Sequence, residues 1–231
     1  MNIPRLTGAT ELLDTATHNS EELEKSLDHV AEVNRFLGGE RSLIRSFLAL
    51  HLPTATVLDV GTGSADLPRA LVRAARRSGI PIRITASDLN PNMLAIARAR
   101  CADYPEITVA QADALDLPFE DDSFDVATMS LALHHFDHVD HLRILAELRR
   151  VCRRAVIVSE LERNRANYYG AKLLAATWWR TNRLTRHDGP LSVLRGFTQQ
   201  ELAELGHSTG FARVSVRRHF FFRLILIGEK R

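Results

Sequence analysis

Apolar residues recur along this chain with two different periods. Leu23, Leu27, Val30, Val33 and Leu37 step by three and four positions, the spacing of one helix face, and residues 11–50 read as helical. Gly38-Gly39 ends that first helix, and Leu43, Ile44, Phe47, Leu48 and Leu50 supply a second apolar face before Pro53. From 55 to 160 the pattern changes. Short β-rich runs at Val57–Val60, Arg83–Ser87, Ile107–Gln111, Phe124–Leu131 and Ala155–Ser159 alternate with helical stretches at Ala65–Ser78, Pro91–Asp103 and Val139–Val151. This alternation predicts a parallel sheet with helices on both faces.

After Glu160 the alternation stops. Residues 161–195 read as helical, with Tyr168, Tyr169, Trp178 and Trp179 among arginines. A helix follows at Thr198–Thr209, where Thr198 and Glu201 form a capping box. Arg213–Arg217 and Phe220–Ile227 read as two strands of an antiparallel hairpin at the sheet edge.

Composition narrows the class. With 231 residues, 45% of them hydrophobic and 25% charged, the chain suits one large α/β domain or one core with an added helical piece. Cys101 and Cys152 lie in no C-x-x-C pattern, which points to free thiols and a reducing, cytoplasmic setting. No signal-peptide pattern opens the chain, and no apolar run approaches the roughly 18 residues that span a bilayer. The net charge is only +2, but residues 161–231 carry 13 basic and 5 acidic residues. That excess reads as a solvated arginine-rich face rather than a nucleic-acid surface.

The chemistry concentrates at strand ends. Val57-Leu58-Asp59-Val60-Gly61-Thr62-Gly63-Ser64-Ala65-Asp66-Leu67 runs from a buried strand through a glycine turn into a helix, whose free N–H groups face the turn. In a dinucleotide site those donors hold pyrophosphate. Here Asp66 replaces the third glycine and Asp59 lies within the strand, so the loop suits a ligand with less negative charge and a positive group. The second strand ends in Asp88, placed to accept ribose hydroxyls, and the third ends in Asp113, placed to read an adenine amino group.

Taken together, V-L-D-V-G-T-G-S-A-D-L, I-T-A-S-D-L-N-P-N-M-L and Q-A-D-A-L-D-L-P-F-E-D-D-S-F-D-V-A resemble the class I S-adenosylmethionine-dependent methyltransferases. The nearest flavour is the ubiquinone/menaquinone-biosynthesis-like group of small-molecule enzymes. The resemblance covers residues 50–160 and the final hairpin in outline. It implies a Rossmann-like α/β fold with a seven-stranded, mostly parallel sheet. Residues 1–50 would be a helical cap and 51–231 the methyltransferase domain, with 161–197 inserted as a lid. Asp59, Gly61, Thr62 and Gly63 would hold the methionine end of S-adenosylmethionine, Asp88 the ribose, Leu89 and Met93 the adenine faces, and Asp113 and Ala114 the adenine edge. Ser130 and Leu131 would approach the sulfur. The stretch Val33-Asn34-Arg35-Phe36-Leu37-Gly38-Gly39 resembles methyltransferases of polyketide and phenolic-lipid pathways, with Arg35 a candidate partner of the cofactor carboxylate.

Methyl transfer to a hydroxyl needs a base within hydrogen-bond reach. Leu131-Ala132-Leu133-His134-His135-Phe136 delivers two histidines past the fourth strand, and His134 or His135 is the expected general base. The crowding of His134, His135, Asp137, His138, Asp140 and His141 also raises a metal reading, set aside in favour of a solvated helix start. Tyr168, Tyr169, Trp178 and Trp179 are expected to wall an apolar acceptor. The expected reaction is O-methylation of a small phenolic or polyketide-type compound by a monomer or homodimer, with C-methylation of a quinol-like ring as the alternative. Nucleic-acid methylation and a non-catalytic cofactor-binding regulator are further alternatives.

Overall fold

The computed structural model describes residues 3–14 and 20–230. Helices α1 (Ser20–Phe36) and α2 (Gly39–Leu48) come first, joined through Gly38, whose φ of 79° suits glycine. Then β1 (Ala55–Val60), α3 (Asp66–Ser78), β2 (Ile82–Asp88), α4 (Pro91–Arg100), β3 (Ile107–Gln111), β4 (Phe124–Ser130), α5 (His138–Val151) and β5 (Cys152–Leu161) alternate. Helices α6 (Arg165–Ala176), α7 (Arg183–Arg195) and α8 (Gln199–Ser208) precede the hairpin of β6 (Arg213–His219) and β7 (Arg223–Glu229).

The seven strands form one sheet in the order β3-β2-β1-β4-β5-β7-β6. Strands β1 to β5 pair in parallel, while β7 runs antiparallel to β5 and to β6. The order reverses between β1 and β4, and open α/β sheets bind ligands outside the carboxyl ends of the strands at such a point. Alternate residues of each central strand feed two cores. Leu58, Ala127 and Val156 face Ile144, Leu145 and Leu148 of α5 and Leu202 of α8. Val57, Val126 and Ile157 face Phe47 of α2 and Leu71 and Val72 of α3. Burial on both faces explains why these strands are continuously apolar.

Local signals account for most boundaries. Thr198 and Glu201 form the expected capping box on α8. Asn90 caps α4 with Pro91 in its first turn. That helix ends at Arg100 rather than Asp103, shortly before Pro105 forces extended backbone. The second hairpin strand starts at Arg223, not Phe220. Phe221 and Phe222 take left-handed φ values of 55° and 58° to reverse the chain, so three apolar aromatics that look like strand make the turn. Residues 161–195 split into two helices, with Asn182 capping the second through the Thr185 N–H.

Segment 3–13 lies across the carboxyl side of the sheet as a strap. Its carbonyls at Ile3 and Ala9 accept from the buried guanidinium groups of Arg163 and Arg195. Its N–H groups at Leu12 and Leu13 donate to the Asp188 carboxylate at 2.8 and 2.9 Å.

Candidate active site

The glycine turn after β1 builds the floor of the site. Gly61 has φ 68°, and a Cβ there would stand 2.7 Å from Cβ of Ala132, so only glycine lets the turn approach the end of β4. Thr62 Oγ1 is buried within this turn beside the Asp59 carboxyl, whose charge it favours. Asp59, at 2% exposure, accepts from Thr128 Oγ1 at 2.6 Å. Burial pushes its carboxyl up to about 7, with the neighbouring Asp66 and Asp88 adding repulsion and Thr128 opposing the shift. A buried acid supported by two hydroxyls and crowded by two further carboxylates makes an acceptor set that fits a ligand bearing an ammonium group.

Asp88 ends β2 with its carboxylate turned onto the same turn. Its Oδ2 accepts the Gly63 N–H at 2.9 Å and its Oδ1 the Asn90 N–H at 3.0 Å. Burial nevertheless holds this carboxyl above its ordinary range, while those N–H groups and the nearby His135 pull the other way. Gln111 Nε2 donates to the Leu89 carbonyl at 3.0 Å, tying β3 to the loop after β2. Leu89 is exposed. Met93 is buried against Leu23 and Leu27, so α1 covers this side of the cleft. Asp113 turns one oxygen onto the Leu115 N–H at 2.9 Å, and Ala114 is buried. Ser130 closes β4, and Leu131 follows in left-handed backbone with φ 54°.

The histidine pair is where β4, β5 and the strap converge. His134 Nδ1 lies 2.7 Å from Glu160 Oε2, and the His134 N–H donates to Glu160 Oε1 at 3.2 Å. Both side chains are fully enclosed. Burial opposes ionisation of Glu160, but the attraction of a protonated His134, its hydrogen bond and the Leu161 N–H together outweigh it and hold the carboxyl below its usual range. Arg195 Nε donates to the His134 carbonyl at 2.9 Å. Glu11, also buried, comes from the strap to face both imidazoles. His135 is half-buried beside His134, with ring centroids 4.5 Å apart.

Several expected site residues fall elsewhere. Arg35 is exposed and stacks its guanidinium on Phe36 at 4.8 Å, because its helix turns Asn34 inward instead. Asn34 bonds the buried Arg223 at 2.8 Å. The four aromatics do not form one wall. Tyr168 is half-buried and Tyr169 is in solvent, Trp178 is half-exposed against Phe36, and Trp179 is buried on Gly189 between α6 and α7. Asp137 and His138 are exposed, and His141 spends Nε2 on the Phe136 carbonyl at 2.9 Å. The run 134–141 therefore does not assemble as one ligand set. Glu11 and Arg195 escape sequence reasoning because no local spacing ties them to His134. Glu160, at a strand end, carried a positional signal.

Comparison with known proteins identifies the family. A profile of the methyltransferase domain family matches residues 57–155. The demethylmenaquinone methyltransferase of Bacillus licheniformis is 30% identical over 161 residues, covering 69% of this chain and 67% of that protein. This chain is a class I S-adenosylmethionine-dependent methyltransferase. S-adenosylmethionine is the cofactor of this enzyme family, and the buried Asp59 carboxyl, pushed upward by burial, and the tight Gly61 turn fit it. The ubiquinone/menaquinone biosynthesis C-methyltransferase of Burkholderia mallei is 37% identical over 111 residues, 48% of this chain and 44% of that one. The methyltransferase shares its fold with a S-adenosylmethionine-dependent enzyme from Aquifex aeolicus at TM-score 0.64 and 16% identity, over 93% of this chain and 100% of that one. An O-methyltransferase family protein from Burkholderia thailandensis matches at TM-score 0.68 and 14% identity, over 92% and 60%. No helix among the described residues is long and apolar enough to cross a membrane.

Proposed function

We propose that this methyltransferase transfers the methyl group to a ring carbon of a small quinol-type acceptor, with the acceptor hydroxyl ionised at His134. Support for carbon as the acceptor atom comes from sequence relatives named for demethylmenaquinone methylation and for C-methylation in ubiquinone/menaquinone biosynthesis. These names favour the C-methyl reading over the O-methylation expected from the chain's resemblance alone.

The observation that carries the chemistry is the His134–Glu160 pair. Glu160 accepts the Nδ1 proton, which leaves the lone pair of neutral His134 on Nε2. Once Glu11 moves off it, Nε2 takes the hydroxyl proton, the resulting phenolate feeds electron density into the ring carbon beside it, and that carbon gives up its own hydrogen as a proton after it is methylated. Glu160 stabilises the imidazolium that forms, while Arg195 holds the backbone carbonyl of the same residue. When bound, S-adenosylmethionine supplies an electrophilic methyl. Asp59, Gly61, Thr62 and Gly63 would hold its methionine end. Asp88 would hold the ribose, Leu89 and Met93 the adenine faces, Asp113 and Ala114 the adenine edge, with Ser130 and Leu131 near the sulfur. Helices α6 and α7, together with the strap, act as the lid that shuts water out of the cleft.

Methyl-labelled cofactor offered with a panel of quinols, phenols and amines tests the reading. The expected product carries the label on a ring carbon, located by carbon NMR. Label on oxygen would restore the O-methyl reading, and no transfer to any quinol would remove the substrate class.

A further inference from the structure

We infer that Glu11, His134 and His135 form a binding site for one divalent transition-metal ion of the zinc type. Each offers one donor atom, and these atoms all lie within 4.8 Å of one another. Glu11 Oε1 is 3.6 Å from Nε2 of His134, and Glu11 Oε2 is 3.8 Å from Nε2 of His135. These separations are too long for hydrogen bonds between the same atoms. Donors around a four-coordinate zinc, each at about 2.0–2.1 Å, sit about 3.4 Å apart; the two Glu11 contacts use its two oxygens and shorten by a few tenths of an ångström, while the histidine donors, within 4.8 Å of each other, close by rotation of the half-exposed His135 ring.

The surroundings have the form that metal sites take. Ligating histidines give their other ring nitrogen to a carboxylate, which sets the tautomer, and ligating carboxylates are themselves hydrogen-bonded. Glu160 does this for His134 at 2.7 Å, and Ser192 Oγ donates to Glu11 Oε1 at 3.0 Å. Glu11 and Glu160 are 3% and 0% exposed, so two carboxylates meet in the interior around one imidazole. Arg5 and Arg223 face Glu160, and a dication between Glu11 and His134 would offset the charge of Glu11. Two imidazoles and one carboxylate suit zinc and its neighbours rather than magnesium or calcium, which take oxygen ligands.

Binding of the ion does not depend on which acceptor the enzyme methylates. It joins residue 11 of the strap to the loop after β4 and occupies Nε2 of His134, so the ion-loaded protein cannot use that nitrogen as the base for methyl transfer and is the inactive form.

The full chain, stripped with a chelator, is titrated with Co2+ and with Zn2+ by calorimetry and visible spectroscopy. The expected result is one ion per chain, with Co2+ bands of low-coordinate geometry that Zn2+ displaces. Glu11→Gln and His135→Ala should each weaken binding at least tenfold, with thermal melts confirming that both variants fold. His135 is half-exposed and Glu11 sits on the strap, so either variant alone suffices if the other misfolds. A Co2+ spectrum of the free aqua ion with no binding heat at about 100 µM overturns the site, as does affinity unchanged in the folded variants. Methyl transfer is measured separately on the stripped protein, so a failed substrate reading and a failed metal site read out apart.

Discussion

Nδ1 of His134 and Oε2 of Glu160 lie 2.7 Å apart with neither side chain reaching solvent. The pair joins the loop after β4 to the end of β5, and it decides which imidazole nitrogen carries the lone pair. Burial makes the contact strong, because a carboxylate enclosed without a partner costs several kcal/mol.

Glu160→Gln keeps the shape but removes the charge behind the imidazole. The expected outcome is a fall of roughly 10² or more in kcat with little change in cofactor affinity. Steady-state kinetics beside calorimetric titration of S-adenosylhomocysteine checks it. Equal loss in both measurements would point to damaged cofactor binding instead.

Gly61 and Gly63 separate two costs. Both have positive φ, 68° and 53°, so alanine at either strains the backbone by about 1–2 kcal/mol. Only at Gly61 does the added Cβ collide, 2.7 Å from Ala132, whereas at Gly63 the nearest atom is Leu27 Cδ2 at 3.9 Å. Gly61→Ala should therefore lower the melting temperature more than Gly63→Ala. Thermal melts of the two variants decide it.

Two buried groups tilt stability with pH in opposite directions. Asp59 is raised to about 7, so between roughly pH 4 and 7 the folded state keeps a proton that the unfolded state has lost. Its contribution falls as pH rises, by about 1 kcal/mol per unit. Burial, with Arg5 adding repulsion, lowers His141 to about 4, so its contribution is lost as pH falls from about 6.5 towards 4. Asp59→Asn should gain stability relative to the wild type as pH climbs from 5 to 7, and its own stability should decline more steeply on acidification. Urea unfolding at pH 5, 6 and 7 measures both slopes, and parallel curves would contradict the assignment.

Asp188 anchors the strap through the N–H groups of Leu12 and Leu13. Asp188→Asn retains volume but weakens two charge-assisted bonds, together by about 1–2 kcal/mol. Amide exchange at Leu12 and Leu13 should speed up about tenfold or more, while amides in β1 and β4 stay protected.

Helix and strand identity was legible wherever local forces set it. The glycine turn, the Thr198–Glu201 capping box and Asn90-Pro91 each act within a few residues, and each stands where the pattern placed it. The Phe220–Phe222 turn was not legible, because aromatic β-propensity and chain reversal compete there and the hairpin geometry wins. Arg35 and Asn34 are neighbours with opposite fates, and the choice depended on Arg223, which lies 189 residues beyond Asn34.

The chain alone determined the parallel sheet, the glycine turn after its first strand and the row of acids at the strand ends. Those features rest on periodicity and on turn chemistry, which operate along the backbone. What only the folded protein decided is the partnership around His134. Glu11, Glu160 and Arg195 reach it from three separate segments, and their charges matter only because packing removes the water that would otherwise screen them.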